Sequence, residues 1–343
     1  MLALIDHALS QGRRVLVACP DGPLADALPG ETAHLVLPPL GMQGQEGIRR
    51  ILGLASLPVR WARAAVRIRR ARTSAHARVV CNSLFALPAV ALAVAGTGST
   101  GRARWLVHDT LSSRRQILVA RLGRSRVGTA VAVSCATAEP VRQLGFHTVV
   151  ARNGVPVGAP RRDLQAAAPQ RVGILASITE WKGHRVLLEA MSRIPGVHLD
   201  IAGTPFPGDE PFLDELRARA AMPDLLGRVS FLGHVPAAEV LDAWDVMVSA
   251  STSPEAGPLG VLEAMAHGVP VVGTDHGGTA EYLADGAGVL VPPSDPDALA
   301  AALTRVLGDA GLRREISGIA RRRVESLHDI ERTLPEMAAA LWQ

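Results

Sequence analysis

Apolar positions along this chain alternate between two rhythms. Short runs of Val, Ile, Leu and Ala read as buried strands, and between them lie longer stretches whose apolar residues recur every three or four positions. Leu2, Ile5, Ala8 and Leu9 keep helical spacing and Gly12 ends that segment. Val15–Cys19 follows as a strand, with Pro20-Asp21-Gly22 as its turn. In the first half the strand runs are Leu35–Leu37, Arg78–Asn82, Trp105–Asp109 and Val131–Ser134, the last leading into a helix over Ala136–Leu144. In the second half they are Val172–Ala176, Val197–Gly203, Val229–Gly233, Val246–Ser249 and Val269–Val272. Helices are expected at Pro211–Ala220, Val240–Trp244, Leu259–His267, Ala298–Leu307 and Ile330–Leu341. Strands alternating with helices predict an α/β protein with parallel sheets covered by helices.

A chain of 343 residues, 48% of them hydrophobic, supplies enough apolar surface for two domains with separate cores. The Pro- and Ala-rich tract 158–170 reads as the linker. It divides an N-terminal domain (1–157) from a C-terminal domain (171–327), with a final helical segment at 328–343. A Gly-rich loop is expected at Gly41–Gly47.

Charge separates the halves further. Residues 1–150 hold 19 Arg, no Lys and 7 acidic residues, whereas residues 151–343 hold 17 basic and 25 acidic ones. The first half is therefore strongly positive and the second negative, which implies different partners. With only 3% aromatic residues, stacking on single-stranded nucleic acid is disfavoured, and an anionic membrane or lipid-linked acceptor suits the basic half better. The segment Ile48–Arg72 sharpens this. Ile51, Leu54, Leu57, Trp61, Ala65 and Ile68 share one helical face, and Arg60, Arg63, Arg67 and Arg70 another, with Pro58 expected to divide or kink it. Two readings stand: a helix covering the sheet, or an interfacial helix touching anionic lipid.

Cys19, Cys81 and Cys135 are widely spaced in apolar or small-residue surroundings, which predicts buried free thiols in a reducing compartment. The apolar start Leu2–Ile5 is too short for a signal peptide, and the Ala-rich run Leu84–Gly96 is too short to span a bilayer. These features predict a cytoplasmic protein, with peripheral contact at the inner face of the membrane through 48–72.

The candidate chemistry lies in the second half. Lys182 is the one lysine among 36 basic residues, in a loop between a strand and a helix, and a compact ammonium suits a diphosphate. In Ser251–Leu283, Pro258 suits a first helical position, Leu259–His267 forms a helix and Gly268 stops it. The free N–H groups of Leu259 and Gly260 then stand at the positive end of that helix, where a phosphate is stabilised. A second Gly-rich turn, Asp275 to Gly278, leads to Glu281. Glu255 and Glu263 are poor phosphate ligands and more plausible acceptors of hydrogen bonds from hydroxyls. Hydroxyls beside a diphosphate point to a nucleotide sugar. Asp295-Pro296-Asp297 mimics an acidic metal motif, but its place before Ala298–Leu307 predicts a helix cap. There is no His/Cys cluster with metal-ligand spacing.

Pro254-Glu255, Leu262-Glu263-Ala264-Met265-Ala266, Gly268–Val272 and Gly277–Glu281, in that order, resemble the donor site of the family 4 glycosyltransferases. Over most of the chain the resemblance implies a GT-B fold, with two doubly wound Rossmann-like domains facing across a cleft. It implies retaining, metal-independent hexosyl transfer from a nucleotide sugar to a hydroxyl acceptor, with no cofactor, in polysaccharide or glycolipid synthesis. Residue by residue it places Glu255 at the transferred sugar, Glu263 at the ribose and Lys182 at the donor phosphates. It places backbone around Gly233-His234-Val235 at the base, and His108, at the end of the Trp105–Asp109 strand, at the donor sugar. Asn82-Ser83 resembles the loop near the acceptor, Asn153-Gly154 the turn leaving the first domain, and the last helix one that packs back on that domain.

Three departures stand out. Pro258 replaces a common Gly, Ser177 stands where the family has a second phosphate-binding Arg, and nothing before Leu2 supplies the family's first strand and Gly-rich loop unless Met1–Ile5 is its remnant. A central strand so lost is expected to leave a groove between its neighbours. These departures keep two alternatives open, a non-catalytic nucleotide-sugar-binding scaffold and a sugar-nucleotide epimerase.

Overall fold

The computed structural model describes all residues except 42–46, 73–76, 97–102, 160–169 and 343, and the side chains of 47–52 and 54. The expected loop at Gly41–Gly47 and most of the expected linker at 158–170 fall outside the described residues. The chain divides into two compact units, Met1–Arg152 with Arg332–Gln343, and Asn153–Glu331.

Unit 1 runs α1 (Leu2–Ser10), β1 (Leu16–Cys19), α2 (Pro23–Asp26), β2 (Ala33–Val36), α3 (Gly47–Ala71), β3 (Val80–Cys81), α4 (Leu87–Ala93), β4 (Ala103–Val107), α5 (Arg114–Gly123), β5 (Val127–Ala132), α6 (Cys135–Gln143) and β6 (Thr148–Val150). All its ladders are parallel, and they form two sheets, β1-β2 and β3-β4-β5-β6. Among the described residues, β1 and β2 pair only with each other, so the strands of this unit form two separate sheets rather than one. Trp105, Val107, Leu87, Val119 and Val141 fill the core over the larger sheet. The chain returns to this unit at Arg332. There Trp342 stacks on His7 at 5.9 Å, and the Arg13 guanidinium lies 5.0 Å from the indole.

Unit 2 runs β7 (Arg171–Leu175), α7 (His184–Ser192), β8 (His198–Ala202), α8 (Glu210–Ala220), β9 (Val229–Gly233), α9 (Ala237–Val240), β10 (Val246–Ser249), α10 (Leu259–His267), β11 (Val271–Thr274), α11 (Gly277–Leu283), β12 (Val289–Val291), α12 (Pro296–Gly308) and α13 (Ala310–Leu327). The last helix, α14 (Ile330–Trp342), begins here. Its six strands form one parallel sheet in the order β12-β11-β10-β7-β8-β9. The order reverses between β7 and β10: successive strands after β7 step one way, and those after β10 the other. In a doubly wound sheet the crevice at the carboxyl ends of two such strands is where ligands bind. Continuous runs of buried Val, Ile and Leu explain the sheet's burial on both faces; Val246–Ser249, for instance, is buried at every position.

Several local expectations are corrected. Pro58 does not divide α3, which runs unbroken through it; nearby, Arg60 donates to the carbonyls of Gly53 (2.7 Å) in the same helix and Pro39 (2.8 Å) in the loop after β2. Of that helix's expected apolar face, Leu57 and Ala65 are buried and Trp61 and Ile68 half-buried, while the side chains of Ile51 and Leu54 lie outside the described residues. Val240–Trp244 is not one helix: α9 ends at Val240, a 3₁₀ turn covers Leu241–Ala243, and Trp244 is extended. The turn expected at Asp275–Gly278 stops at His276, because Gly277 already starts α11. Cys135 is exposed, at the first position of α6, whereas Cys19 and Cys81 are buried thiols. Asp295 caps α12 by accepting from Ala298 N–H at 2.9 Å. Among the described residues, no helix is long and apolar enough to cross a membrane.

Candidate active site

The crevice at the β7/β10 switch point is built from three loops. The first leaves β7, and at its end Gly183 takes a left-handed conformation (φ +76°) before α7. A β-carbon at Gly183 would lie 1.8 Å from the Ala250 carbonyl oxygen, so only glycine lets this loop press against the end of β10. The second loop, after β10, is tied to the first by Thr252 N–H donating to the Trp181 carbonyl at 2.8 Å. The third starts α11, where Gly277 (φ +57°) and Gly278 pack against the backbone of residues 255–257, and Gly278 N–H donates to the Glu255 carbonyl at 2.7 Å. Glu255 is thus fixed at its backbone before its carboxylate does anything.

Lys182 and Glu255 meet here. Lys182 Nζ stands 2.5 Å from Glu255 Oε2, with both side chains largely buried. The other carboxylate oxygen accepts from the Ser251 hydroxyl. The ammonium also sits 4.4 Å from the centroid of the Trp181 ring, a cation–π contact that holds the lysine from its other side. Around Ser251, Thr274 Oγ1 donates to the backbone carbonyl at 2.9 Å and His276 Nε2 reaches the same oxygen at 2.8 Å. Ser251, Trp181, Thr274 and His276 were not singled out from sequence. For Ser251 the signal was available, a hydroxyl four residues before a buried glutamate at the end of an apolar run.

The start of α10 completes the crevice. Pro258 is the residue before the helix rather than its first residue (ψ 112°), which corrects the expectation by one position; it provides no side-chain cap. The first amides of α10 are therefore without a capping acceptor, and Leu259, Gly260 and Val261 line the same cavity as Lys182, Ser251 and Glu255. Gly260 is required by packing, since a β-carbon there would approach the Leu175 carbonyl to 2.9 Å. The cavity measures about 60 Å³. Pockets for whole drug-sized ligands hold roughly 300–1,000 Å³, so this space alone is too small for one.

Other sequence-selected residues do not line that cavity. Gly233 closes β9 with φ +70° and accepts from Gly203 N–H at 2.8 Å, and Val235 packs against the cluster containing Trp244 and Leu262. Glu263 lies in α10, where burial pushes its carboxyl above the ordinary carboxylate range. In unit 1, His108 follows β4 and its Nε2 lies 2.7 Å from Asn82 Oδ1, an arrangement in which Nε2 carries the proton. Burial lowers its pKa from 6.5 to about 4, so the imidazole is neutral at neutral pH.

Comparison with solved structures defines the class. HepE of Anabaena in complex with UDP and glucose superposes with a TM-score of 0.81 at 23% identity, over 99% of this chain and 95% of that one. Sucrose-phosphate synthase from Thermosynechococcus elongatus superposes with 0.76 at 20% identity, over 98% and 90%. The fold is GT-B. Within it, residues 162–323 match the family model described as glycosyl transferases group 1, so the chain carries a group 1 glycosyltransferase domain. Curated relatives include a phosphatidyl-myo-inositol mannosyltransferase of Mycolicibacterium smegmatis, 38% identical over 198 residues (54% of this chain, 48% of the relative). The lipopolysaccharide core biosynthesis glycosyltransferase LpsE of Rhizobium meliloti is 33% identical over 165 residues (48% of this chain, 46% of the relative). The chain thus spans about half the length of these relatives.

Proposed function

We propose that this protein is a retaining glycosyltransferase that moves a hexosyl group from a nucleotide sugar to a hydroxyl acceptor in cell-surface glycan or glycolipid synthesis. The observation that carries the proposal is the convergence of Lys182, Glu255 and the uncapped start of α10 at the β7/β10 switch point. The bond between the anomeric carbon and the donor phosphate oxygen breaks, and a bond to the acceptor oxygen forms on the same face. The acceptor's proton passes to a donor phosphate oxygen. Lys182 and the amides of Leu259 and Gly260 stabilise the charge left on the departing diphosphate, a role that needs no metal in this scheme. Glu255 orients the sugar, Glu263 the ribose and the neutral His108 the sugar hydroxyls, while backbone around Gly233 and Val235 holds the base. The basic segment 48–72 keeps the enzyme at the anionic, cytoplasmic face of a membrane, beside a lipid-linked acceptor.

HepE binds UDP and UDP-glucose and the relatives carry glycolipid or lipopolysaccharide names, which makes UDP-hexoses the first donors to test. Incubation with radiolabelled UDP-, GDP- and ADP-sugars plus lipid acceptors decides the reading. Transfer or slow donor hydrolysis supports it, and conversion of the sugar without transfer supports an epimerase. Binding without any chemistry supports a non-catalytic scaffold.

A further inference from the structure

The helices α3, α4 and α5 of unit 1 pack side by side. Trp61 Nε1 of α3 donates to the Phe85 carbonyl just before α4 at 2.9 Å, and Arg69 of α3 donates to the carbonyls of Leu92 (2.6 Å) and Ala93 (3.3 Å) at the end of α4. On the other flank Gly123 of α5 receives Leu87 of α4 so closely that a β-carbon would meet its Cδ2 at 2.2 Å. α4 joins β3 to β4 and α5 joins β4 to β5, so right-handed crossovers set both on one face of that sheet, and α3 lies beside them through its contacts with α4. Their outer sides therefore form one surface.

That surface has an unusual composition. Val59, Val66, Leu92, Leu118 and Leu122 are each between 48% and 60% exposed on it. Arg63, Arg70, Arg115 and Arg121 stand exposed among them. Between Glu46 and Asp109 the sequence has no acidic residue, and α5 has none either. Among the described residues no arginine of α3 or α5 has a carboxylate partner, whereas unit 2 pairs its arginines repeatedly.

We propose that α3, α4 and α5 together form a docking surface for an anionic lipid bilayer, with the aliphatic side chains entering the headgroup boundary and the arginines meeting lipid phosphates. This extends the peripheral contact proposed above from the single segment 48–72 to three helices. A second copy of the chain fits poorly, because it would bring two carboxylate-free basic faces together. Nucleic acid fits poorly as well: this surface exposes aliphatic groups that phosphate backbones do not use, and its tryptophan, Trp61, is half-buried with its N–H engaged.

The test is flotation of the full chain with phosphatidylcholine vesicles and with vesicles that also contain phosphatidylglycerol, at low and high salt. Binding is expected to the second kind only and to weaken with salt. Arg63→Gln with Arg70→Gln is expected to cut binding about twenty-five-fold, at roughly fivefold per arginine. Leu118→Ser with Leu122→Ser, on α5 alone, is expected to cut it about tenfold or more while leaving the thermal unfolding midpoint and UDP binding by unit 2 unchanged. If only the α3 pair matters, the single-segment reading survives and the three-helix surface is wrong. No binding to anionic vesicles, or tighter binding to duplex DNA that ignores the leucine pair, overturns both. Failure of sugar transfer alone leaves the vesicle result standing, since the two readouts are independent.

Discussion

Lys182 Nζ lies 2.5 Å from Glu255 Oε2, so the lone lysine of the chain is neutralised by the carboxylate expected to hold the sugar. In the proposed scheme an incoming diphosphate competes with Glu255 for that ammonium. Removing the carboxylate's charge with Glu255→Gln is expected to tighten binding of UDP alone by roughly fivefold, about 1 kcal/mol, while sugar transfer falls. Calorimetry with UDP beside a transfer assay checks this; weaker UDP binding in the variant would show that Glu255 does not restrain Lys182.

Lys182→Ala is expected to abolish transfer and also to destabilise the protein, because it leaves Glu255 buried without its partner, at a cost of about 3 kcal/mol. Adding Glu255→Gln is expected to restore most of the stability and none of the activity. Denaturant titration of the single and double variants separates the structural from the chemical role of the lysine.

Gly183→Ala and Gly196→Ala offer a matched pair. Both glycines have positive φ (+76° and +79°), but a β-carbon meets the Ala250 carbonyl oxygen at 1.8 Å in the first and nothing within 4 Å in the second. The second variant should cost about 1 kcal/mol, the backbone penalty alone. The first should cost more than twice that and lose donor binding, because the loop carrying Lys182 can no longer sit on β10. Equal thermal shifts would show that the close approach does not matter.

Stability is expected to fall in mild acid. Burial lowers His108 and His184 from 6.5 to about 4, so between those values the unfolded chain binds more protons than the folded one. The stabilisation is present in full above pH 6.5 and is lost as the pH falls toward 4, at up to about 1.4 kcal/mol per pH unit for each histidine. Replacing His184 with Gln should flatten that slope in urea titrations across this range.

Asp295→Ala is expected to lower stability by about 1 kcal/mol through loss of its cap on α12, and to leave transfer intact. Loss of transfer with stability preserved would revive the metal-motif reading of Asp295-Pro296-Asp297.

Much of unit 2 was legible because its strands are buried on both faces, and burial writes itself as unbroken runs such as Val246–Ser249; Val229–Gly233 falls on β9 to the residue. Elements with weaker contrast escaped. α13 spans eighteen residues, but its buried positions are only Ile316, Ala320 and Val324, set among arginines and glutamates that mask the period. β12 is only three residues long, too short a run to show a period. In the candidate site, Lys182 stood out through composition and Glu255 through motif. The contact between them, 73 positions apart, is a product of the sheet's strand order, which periodicity does not reveal. Pro258 shows the limit of cap rules, since a proline just before a helix and one inside its first turn look alike in sequence.

The two-stranded sheet β1-β2 stands apart from the larger sheets, and its durability is expected to be lower. Six strands of unit 2 lock one another through a continuous ladder, whereas among the described residues β1 and β2 pair only with each other, and four of their eight residues, at positions 16, 33, 34 and 36, are solvent-exposed. Amide protons of Leu16–Cys19 should therefore trade for deuterium long before those of Val172–Leu175, and a protease that finds the native protein should make its first cut on the β1–β2 side.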